Sequence, residues 1–280
     1  MNIERPDRRR SDLIVFSDLD HTLLDGRDYS HARAAPGLAL LNERKIPLVL
    51  CTSKTRPEVE FHRRDLNNRH AFVVENGGAI YIPAGYFDFD FVHDRRTGDY
   101  FVIELGMPYQ DQVGALTELK RKTGLALRGF SDMTAQEIAA RCGLSPVQAT
   151  WAKQREYDEP FMIPAPEAAA AIIATADFPL TQGGRFYHLA ASDKGRAVGI
   201  LMELFRRSHP GAVSVGIGDA LNDLPLLEAV EIPVLVQGDD GGYDPRIDLP
   251  GLRFADGIGP VGWNAAIANL AGDVHLEVTR

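Results

Sequence analysis

The feature that most constrains this chain is a rhythm of short apolar runs, with little polar alternation, separated by segments of helical periodicity. Runs of strand length occupy residues 13–16, 46–51 and 71–74 in the first third, and residues 212–217 and 232–236 in the last third. Runs without polar alternation are typical of parallel strands that are buried on both faces. The rhythm predicts an α/β fold, a doubly wound, Rossmann-like parallel sheet covered by helices. The predicted helices between these runs cover residues 34–44, 56–66, 194–207 and 221–229.

The middle of the chain does not follow this rhythm. Strand-like pieces mix there with at least four helical segments, and two of these open with capping-box patterns, at Thr134 and Ser145. Another segment, residues 165–175, is rich in alanine. Turn residues at both ends of the block are typical of hinges, so we predict an inserted α+β cap domain. The predicted boundaries are residues 1–82 and 188–280 for the core and residues 83–187 for the cap.

Composition excludes several classes of protein. The 280 residues include 30 Lys and Arg against 39 Asp and Glu, a net charge of −9, which disfavours a broad nucleic-acid interface. The two cysteines, Cys51 and Cys142, form neither a disulfide framework nor a zinc motif. No apolar segment approaches the roughly 18 residues that cross a bilayer. We therefore expect a cytoplasmic protein without nucleic-acid or membrane partners, and the sequence leaves the oligomeric state open.

Two acidic clusters follow apolar runs of the predicted sheet. Asp18 and Asp20 come directly after the first run, and Asp219 and Asp223 follow the run at 212–217. Ligands of open parallel sheets bind beyond the carboxyl ends of the strands, where such loops can lie side by side. Converging carboxylates repel one another unless a cation lies between them, and an all-oxygen set suits Mg²⁺. Taken alone, Asp18 and Asp20 also fit an acidic turn that merely ends a strand.

Further polar positions belong to the same predicted edge. Thr52 and Ser53 end the second run and supply hydroxyl and backbone N–H groups where a helix begins. Lys194 opens a later helix and offers a compact cation for phosphate oxygens. Each has an ordinary alternative, since a hydroxyl side chain also caps a helix and a lysine also faces solvent. Their occurrence together with both acidic clusters, in this order, favours a phosphate site.

With these residues in place, the chain resembles the haloacid dehalogenase-like phosphatases. The matching motif positions are Asp18, Asp20 and Thr22 (D-x-D-x-T), the strand-end Thr52, Lys194, and residues 218–223 (G-D-x-x-N-D). The cap inserted between the second and third motifs resembles the subclass with large α/β caps, which hydrolyses sugar phosphates. The resemblance implies the same doubly wound core with an inserted cap.

Less general segments resemble the mannosyl-3-phosphoglycerate phosphatase family. These segments are residues 51–56, 75–78, 129–133, 155–161 and 183–188. The resemblance implies hydrolysis of a phosphorylated glycosyl-glycerate, mannosyl-3-phosphoglycerate, to the compatible solute mannosylglycerate, with Mg²⁺ as cofactor. The glucosyl analogue or another sugar phosphate is an alternative substrate. A phosphotransferase is a further alternative, as is a non-catalytic sugar-phosphate sensor, which the retained acidic residues disfavour.

The resemblance also implies roles for the core motif residues. Asp18 is expected to attack phosphorus and form an aspartyl-phosphate, and Asp20 to act as general acid and then general base. Thr52 and Lys194 are expected to bind phosphate oxygens. The expected Mg²⁺ ligands are Asp18, the backbone carbonyl of Asp20, and Asp219, with Asn222 and Asp223 in supporting positions.

Substrate-binding residues are expected around the cap. An arginine fork suits a carboxylate, so Arg185 and the nearby His188 are candidates for the glycerate part. Asp132 and Glu156 are candidates for sugar hydroxyls, although acidic cap residues also serve as solvated surface. Glycines let backbone approach a ligand closely, which adds the loop after the third run. The remaining candidates are therefore Ser53, Glu75, Asn76, Gly77 and Gly78.

Overall fold

The structure, a computed structural model, describes residues 13–164, 172, 175, 180–183, 186–189 and 192–276. Its strands are β1 (Leu13–Ser17), β2 (Leu48–Cys51), β3 (Phe72–Val74), β4 (Ala79–Pro83), β5 (Arg95–Thr97), β6 (Tyr100–Glu104), β7 (Arg128–Gly129), β8 (Phe161–Met162), β9 (Leu180–Gly183), β10 (Phe186–Leu189), β11 (Val213–Gly218), β12 (Ile232–Gln237) and β13 (Arg253–Ile258). Its helices are Ala35–Glu43, Arg56–Asp65, Tyr109–Thr123, Ala135–Cys142, Pro146–Ala152, Lys194–Ser208, Leu224–Glu228 and Pro260–Leu276. Among the described residues, no helix combines the length and apolarity needed to cross a membrane.

The large sheet has the order β13-β12-β11-β1-β2-β3-β4-β6-β5 within the described ranges. From β13 to β3 every pairing is parallel, whereas β4, β6 and β5 pair antiparallel at one edge. Because β1 lies between β11 and β2, the loops that follow these three strands leave the same edge at neighbouring points. The predicted parallel α/β core is confirmed.

The central strands β1, β2, β3 and β11 are buried on both faces, which explains their apolar runs. Side chains alternate between the two faces along a strand. In β1, Val15 belongs to a hydrophobic cluster that includes Trp263 of the last helix. Its neighbour Phe16 belongs to a second cluster, which includes Leu201 of the helix Lys194–Ser208. Helices on both faces therefore hold the strand ends in place.

A smaller sheet in the middle of the chain has the order β7-β8-β10-β9 and is antiparallel throughout. Two helices beside it begin at the predicted capping boxes. The hydroxyl of Thr134 accepts the backbone N–H of Glu137 at 3.2 Å, and that of Ser145 accepts from Gln148 at 3.3 Å. The alanine-rich helix predicted at 165–175 lies largely outside the described residues.

The boundary of the inserted cap differs from the sequence expectation. The turn at residue 83 was predicted to leave the core, but it connects β4 to β5 and β6, which pair in the large sheet. Gly106 still donates its backbone N–H to the core carbonyl of Gly78 at 2.8 Å. At the other end, β10 pairs in the small sheet. We therefore propose that the cap begins after Gly106 and ends after Leu189.

Candidate active site

A buried lysine connects the loops that follow β1 and β11. Lys194 opens its helix, and its Nζ donates to Asp18 Oδ1 at 2.5 Å and to Asp223 Oδ1 at 2.6 Å. Lys194 and Asp223 have no solvent exposure, and Asp18 retains 5%. A charge removed from water requires partners of this kind. The three side chains therefore lock one helix start and two strand ends into a single arrangement.

Asp219 completes an acidic cluster with these residues. One carboxylate oxygen from each of Asp18, Asp219 and Asp223 lies within 4.8 Å of the other two. Thr22 Oγ1 donates to Asp219 Oδ1 at 2.9 Å. Asp223 Oδ2 accepts the backbone N–H of Asp219 at 3.0 Å, while its Oδ1 accepts from Lys194. Asp223 therefore orients the loop with one oxygen and the lysine with the other.

The acidic cluster carries more negative charge than Lys194 balances. Burial and the charge of Asp223 raise the pKa of Asp18 to about 7, against the opposing effect of the lysine. Burial, Asp223 and Asp18 also raise the pKa of Asp219 well above its usual value. A divalent cation would reduce the repulsion between Asp18, Asp219 and Asp223, and hard carboxylate oxygens suit Mg²⁺. Because Asp223 has both oxygens engaged, the residues fit a cation held by Asp18 and Asp219.

Asp20 lies beside this cluster, and its two oxygens have different surroundings. Oδ2 lies 2.9 Å from Lys54 Nζ. Oδ1 is buried and has no hydrogen-bond partner among the described residues. A buried acceptor without a partner is unfavourable until a ligand supplies one. Sequence reasoning missed Lys54, although its position directly after the strand-end Thr52 and Ser53 is a usable signal.

Thr52 and Ser53 follow β2 as the sequence indicates. Thr52 is fully buried, and its Oγ1 accepts the backbone N–H of Lys54 at 3.2 Å. Ser53 contributes to the wall of the cavity above the acidic cluster. The first residue of the pair therefore shapes the turn, and the second lies at the cavity surface.

Core and cap enclose a cavity of about 280 Å³. The predicted site residues that line its core wall are Asp18, Asp20, Ser53, Asp219 and Asn222. The cap wall is formed mainly by Phe130, Arg155, Pro160, Phe186 and His188. Binding cavities typically combine apolar walls with a few placed polar groups. The charged core wall suits an anionic end of a ligand, and the more apolar cap wall suits its larger body.

Glu75 joins the core to the cap and does not line the cavity. Its carboxylate accepts the backbone N–H groups of Glu156, Tyr157 and Asp158 at 2.9 to 3.2 Å. Its Oε2 also lies 3.6 Å from Arg155 Nε. Burial raises the pKa of Glu75 to about 7, against the opposing effects of Arg155 and the N–H donors. These contacts join the cap to the core.

The loop at 76–78 packs against protein backbone, where the sequence predicted a ligand. Gly77 has φ +95°, and a Cβ there would lie 2.1 Å from the carbonyl oxygen of Asp193. Gly78 approaches the cap almost as closely, with a Cβ position 2.4 Å from the nearest cap atom. The side-chain amide of Asn76 is buried without a hydrogen-bond partner among the described residues. None of the three lines the cavity.

A second buried cation, Arg155, belongs to the cap. Its Nη2 donates to Asp158 Oδ2 at 2.9 Å and to the backbone oxygen of Ser53 at 2.9 Å. His188 Nδ1 lies 2.7 Å from the same Asp158 oxygen. Burial opposes ionisation of Asp158, but His188 and Arg155 outweigh it and lower its pKa. Sequence reasoning included His188 and missed Arg155, and the predicted Arg185 lies outside the described residues.

Asp132 and Glu156 lie outside the cavity lining and have protein partners. Asp132 Oδ2 pairs with Lys120 Nζ at 2.5 Å. Glu156 accepts from Arg95 at 2.6 Å and from the Tyr81 hydroxyl at 2.9 Å. In this closed arrangement, both carboxylates stabilise the protein at a distance from the acidic cluster.

Known proteins are similar to this chain in sequence and in fold. A sequence model of the haloacid dehalogenase-like hydrolases matches residues 15–89. A protein of Methanococcoides burtonii, named glucosyl-3-phosphoglycerate/mannosyl-3-phosphoglycerate phosphatase, is 46% identical over 264 residues, which is 92% of this chain and 97% of the relative. The chain belongs to the haloacid dehalogenase-like hydrolases.

Two further comparisons describe this hydrolase more fully. A Pyrococcus furiosus protein named mannosyl-3-phosphoglycerate phosphatase is 37% identical over 224 residues, 80% of this chain and 90% of the relative. The structure of a haloalkanoate-superfamily phosphatase from Bacteroides thetaiotaomicron aligns with a TM-score of 0.63, covering 96% of this chain and 97% of its own. That pair is 16% identical, so the likeness shows the fold alone. The predicted family and the enzyme class, a phosphoric monoester hydrolase, are confirmed.

Proposed function

We propose that this hydrolase is a Mg²⁺-dependent phosphatase that converts mannosyl-3-phosphoglycerate to mannosylglycerate and phosphate. The observation that carries the proposal is the acidic cluster around Lys194, whose Asp18 and Asp219 carboxylates line the cavity between core and cap. The relatives at 46% and 37% identity bear phosphatase names that include this substrate. Such a substrate presents a phosphate to the core wall and a sugar to the cap wall.

In the proposed reaction, Asp18 attacks phosphorus in line with the ester oxygen. A bond from Asp18 to phosphorus forms while the bond from phosphorus to the glycerate oxygen breaks. Asp20 gives its proton to that leaving oxygen. Water then attacks the phosphorus of the aspartyl-phosphate, Asp20 takes a proton from the water, and phosphate leaves with Asp18 restored as a carboxylate.

Neighbouring residues prepare the nucleophile and the phosphate. Lys194 donates to Asp18 Oδ1, which orients the carboxylate of the proposed nucleophile. A Mg²⁺ ion held by Asp18 and Asp219 would supply positive charge that lets two anions approach each other. Ser53, at the cavity surface, is the proposed hydroxyl donor to the phosphate, and the buried Thr52 shapes the turn that presents it.

The glucosyl analogue is a second candidate substrate, because the Methanococcoides burtonii relative is named for both sugars. The two sugars differ in the configuration of one hydroxyl. A site rejects such an isomer strongly only when a buried polar group is left unpaired. The cap wall includes Phe130 and Phe186, whose ring centroids lie 5.1 Å apart, and these side chains carry no hydrogen-bonding group that the wrong isomer would leave unpaired. We therefore expect both substrates to be hydrolysed.

A phosphate-release panel tests this proposal. We expect turnover of mannosyl- and glucosyl-3-phosphoglycerate to exceed that of sucrose 6-phosphate and free 3-phosphoglycerate. Chelation with EDTA should abolish release, and added Mg²⁺ should restore it, because the nucleophile and the phosphate are both anionic. If the two glycosyl-glycerates were no better than the other esters, the proposed substrate would be wrong while the phosphatase class would stand.

A further inference from the structure

Lys54 lies in the cavity wall next to the carboxylate that would protonate the leaving group. Its side chain is 7% exposed, and its Nζ lies 2.9 Å from Asp20 Oδ2. Glu58 Oε1 lies 4.0 Å away, and Glu58 Oε2 is already bonded to Thr55. The ring of Tyr29 covers another side of the ammonium, 4.7 Å from Nζ to the ring centroid. Lys54, Tyr29 and Glu58 all line the cavity.

The charge of Lys54 is maintained by its surroundings. Burial opposes the charged form, but Asp20 and Glu58 outweigh it and raise the pKa of the ammonium above its usual value. An ammonium has three N–H donors, and Asp20 takes one of them. A further donor at the cavity surface is therefore available to an anionic group of a ligand.

The surroundings of Asp20 indicate where that anionic group would lie. Oδ2 lies against Lys54 Nζ, Oδ1 is buried without a partner among the described residues, and both Asp20 and Lys54 line the cavity. In a phosphorylated glycosyl-glycerate, a short chain of carbon atoms separates the ester oxygen from the carboxylate. A substrate whose ester oxygen contacts Asp20 therefore carries its carboxylate into the neighbourhood of Lys54 Nζ.

We propose that Lys54 binds the carboxylate of the leaving glycerate and so makes the enzyme selective for phosphate esters with an anionic leaving group. This inference rests on the proposed function and adds a residue that determines its specificity. Arg155 and His188, the basic side chains of the cap wall, already have protein partners. Arg155 is bound to Asp158 and to the Ser53 carbonyl, and His188 Nδ1 contacts the same aspartate. Lys54 is the cation in contact with Asp20 in the part of the chain that the structure describes.

The test compares mannosyl-3-phosphoglycerate with its methyl ester, in which the carboxylate is neutral and the rest of the molecule is unchanged. Steady-state kinetics would be measured for the wild type and for Lys54→Gln and Lys54→Arg. Lys120→Gln is a matched control, because Lys120 also pairs with one aspartate but lies outside the cavity lining. Thermal unfolding of each variant would establish that it folds.

We expect the wild type to prefer the free acid over the ester. Lys54→Gln should lower kcat/KM for the free acid about 10- to 100-fold, mainly through KM, because a charge-assisted hydrogen bond is lost. Its loss on the ester should be smaller by about that factor, because the ester has no carboxylate to bind and reports only the effect of the substitution on Asp20. The variant should therefore lose its preference for the free acid. Lys54→Arg should retain the preference for the acid, and Lys120→Gln should behave as the wild type.

Three outcomes would contradict the inference, and they differ in whether the proposed function fails with it. Equal losses on acid and ester would mean that Lys54 acts only through Asp20. A Lys54→Gln enzyme that still prefers the acid would place the carboxylate on another cation and leave the proposed function intact. A wild type that hydrolyses neither compound better than p-nitrophenyl phosphate would remove the proposed substrate together with this inference.

Discussion

Lys194 in the core and Arg155 in the cap are both buried cations. Their surroundings suit a catalytic role for the first and a structural role for the second. In the core, Lys194 has no exposure and contacts Asp18 and Asp223. In the cap, the side chain of Arg155 is 4% exposed and lies against Asp158, with Glu75 at 3.6 Å. Each site places a cation between carboxylates, but the balance of charge differs.

The pKa values of Asp18 in the core and Asp158 in the cap are shifted in opposite directions. Burial and Asp223 raise the pKa of Asp18 to about 7, because one lysine does not balance the acidic cluster. The pKa of Asp158 is lowered, because His188 and Arg155 together outweigh burial. Strongly perturbed groups in a cavity are typical of functional sites. The core cluster is therefore suited to accepting another cation and a substrate, and the cap cluster to holding a shape.

The largest expected effect is on the core side of this comparison. Asp18→Asn removes the proposed nucleophile with little change in size, so phosphate release with Mg²⁺ should fall at least about 10³-fold. Asp25→Asn is the control, because Asp25 lies in the same loop, caps the backbone N–H of Arg27 and does not line the cavity. Turnover by Asp18→Asn near the level of that control would show that another group attacks phosphorus.

Removing each cation in turn compares how much the two sites contribute to the free energy of unfolding. Lys194→Met leaves the acidic cluster without its buried counter-charge and should lower the free energy of unfolding by about 3–5 kcal/mol. Arg155→Met should cost about 2–3 kcal/mol, because Asp158 keeps His188 and Glu75 keeps three backbone donors. Urea unfolding in the absence of Mg²⁺ would measure both. A larger loss for Arg155→Met would mean that the cap cation contributes more to the stability of the fold than the core cation.

The core half of this comparison is predictable from the sequence because sheet topology determines it. Asp18, Thr52 and Asp219 follow β1, β2 and β11, and apolar runs suffice to locate those strands. When the strands are parallel neighbours, their carboxyl ends meet at one edge whatever the loops do. Lys194 is then brought to the same edge by the helix that it begins. Lys54 was missed because nothing in the apolar pattern indicates which way a side chain in a turn points.

The cap half depends on contacts that the sequence pattern does not encode. Glu75 was predicted to approach a ligand, but its carboxylate binds three successive backbone N–H groups from a loop 81 to 83 residues away. The edge strand β5 contains Arg-Arg-Thr and has no apolar run, so the predicted boundary at residue 83 assigned it to the cap. The Glu75 contacts arise where core and cap meet, and the β5 pairing arises at the edge of the large sheet. Periodicity within one segment carries no information about either.

Glu75, a core residue that contacts the cap, departs from this comparison, because its pKa is raised although Arg155 lies beside it. Burial raises its pKa from 4.5 to about 7 in the folded protein. A carboxyl group whose folded pKa is raised contributes most at low pH, and its contribution falls as the pH rises from about 4.5 to 7. The stability deficit of Glu75→Gln relative to the wild type should therefore shrink across that window, by up to about 3 kcal/mol.

Urea unfolding at pH 4.5, 5.5, 7 and 8 would measure this deficit. Asp158→Asn provides the contrast, because the lowered pKa of Asp158 makes its contribution complete above the usual aspartate range and lost as the pH falls below it. Its deficit should stay constant between pH 5.5 and 8. A Glu75→Gln deficit that grew with pH would mean that Arg155 and the backbone donors keep Glu75 ionised, and the two carboxylates beside Arg155 would then behave alike.

The smallest expected effect comes from a cap carboxylate that lies away from the cavity. Asp132 is 40% exposed and pairs with Lys120, so Asp132→Asn should cost at most about 1 kcal/mol and leave kcat/KM within about 2-fold. His188→Gln changes a residue of the cavity wall, and its increase in KM should be several-fold larger than that of Asp132→Asn. Kinetics on mannosyl-3-phosphoglycerate would compare the two variants. If Asp132→Asn were the more damaging, the cap would have to bind substrate in an arrangement that carries Asp132 into the cavity, and the division between a chemical core and an architectural cap would fail.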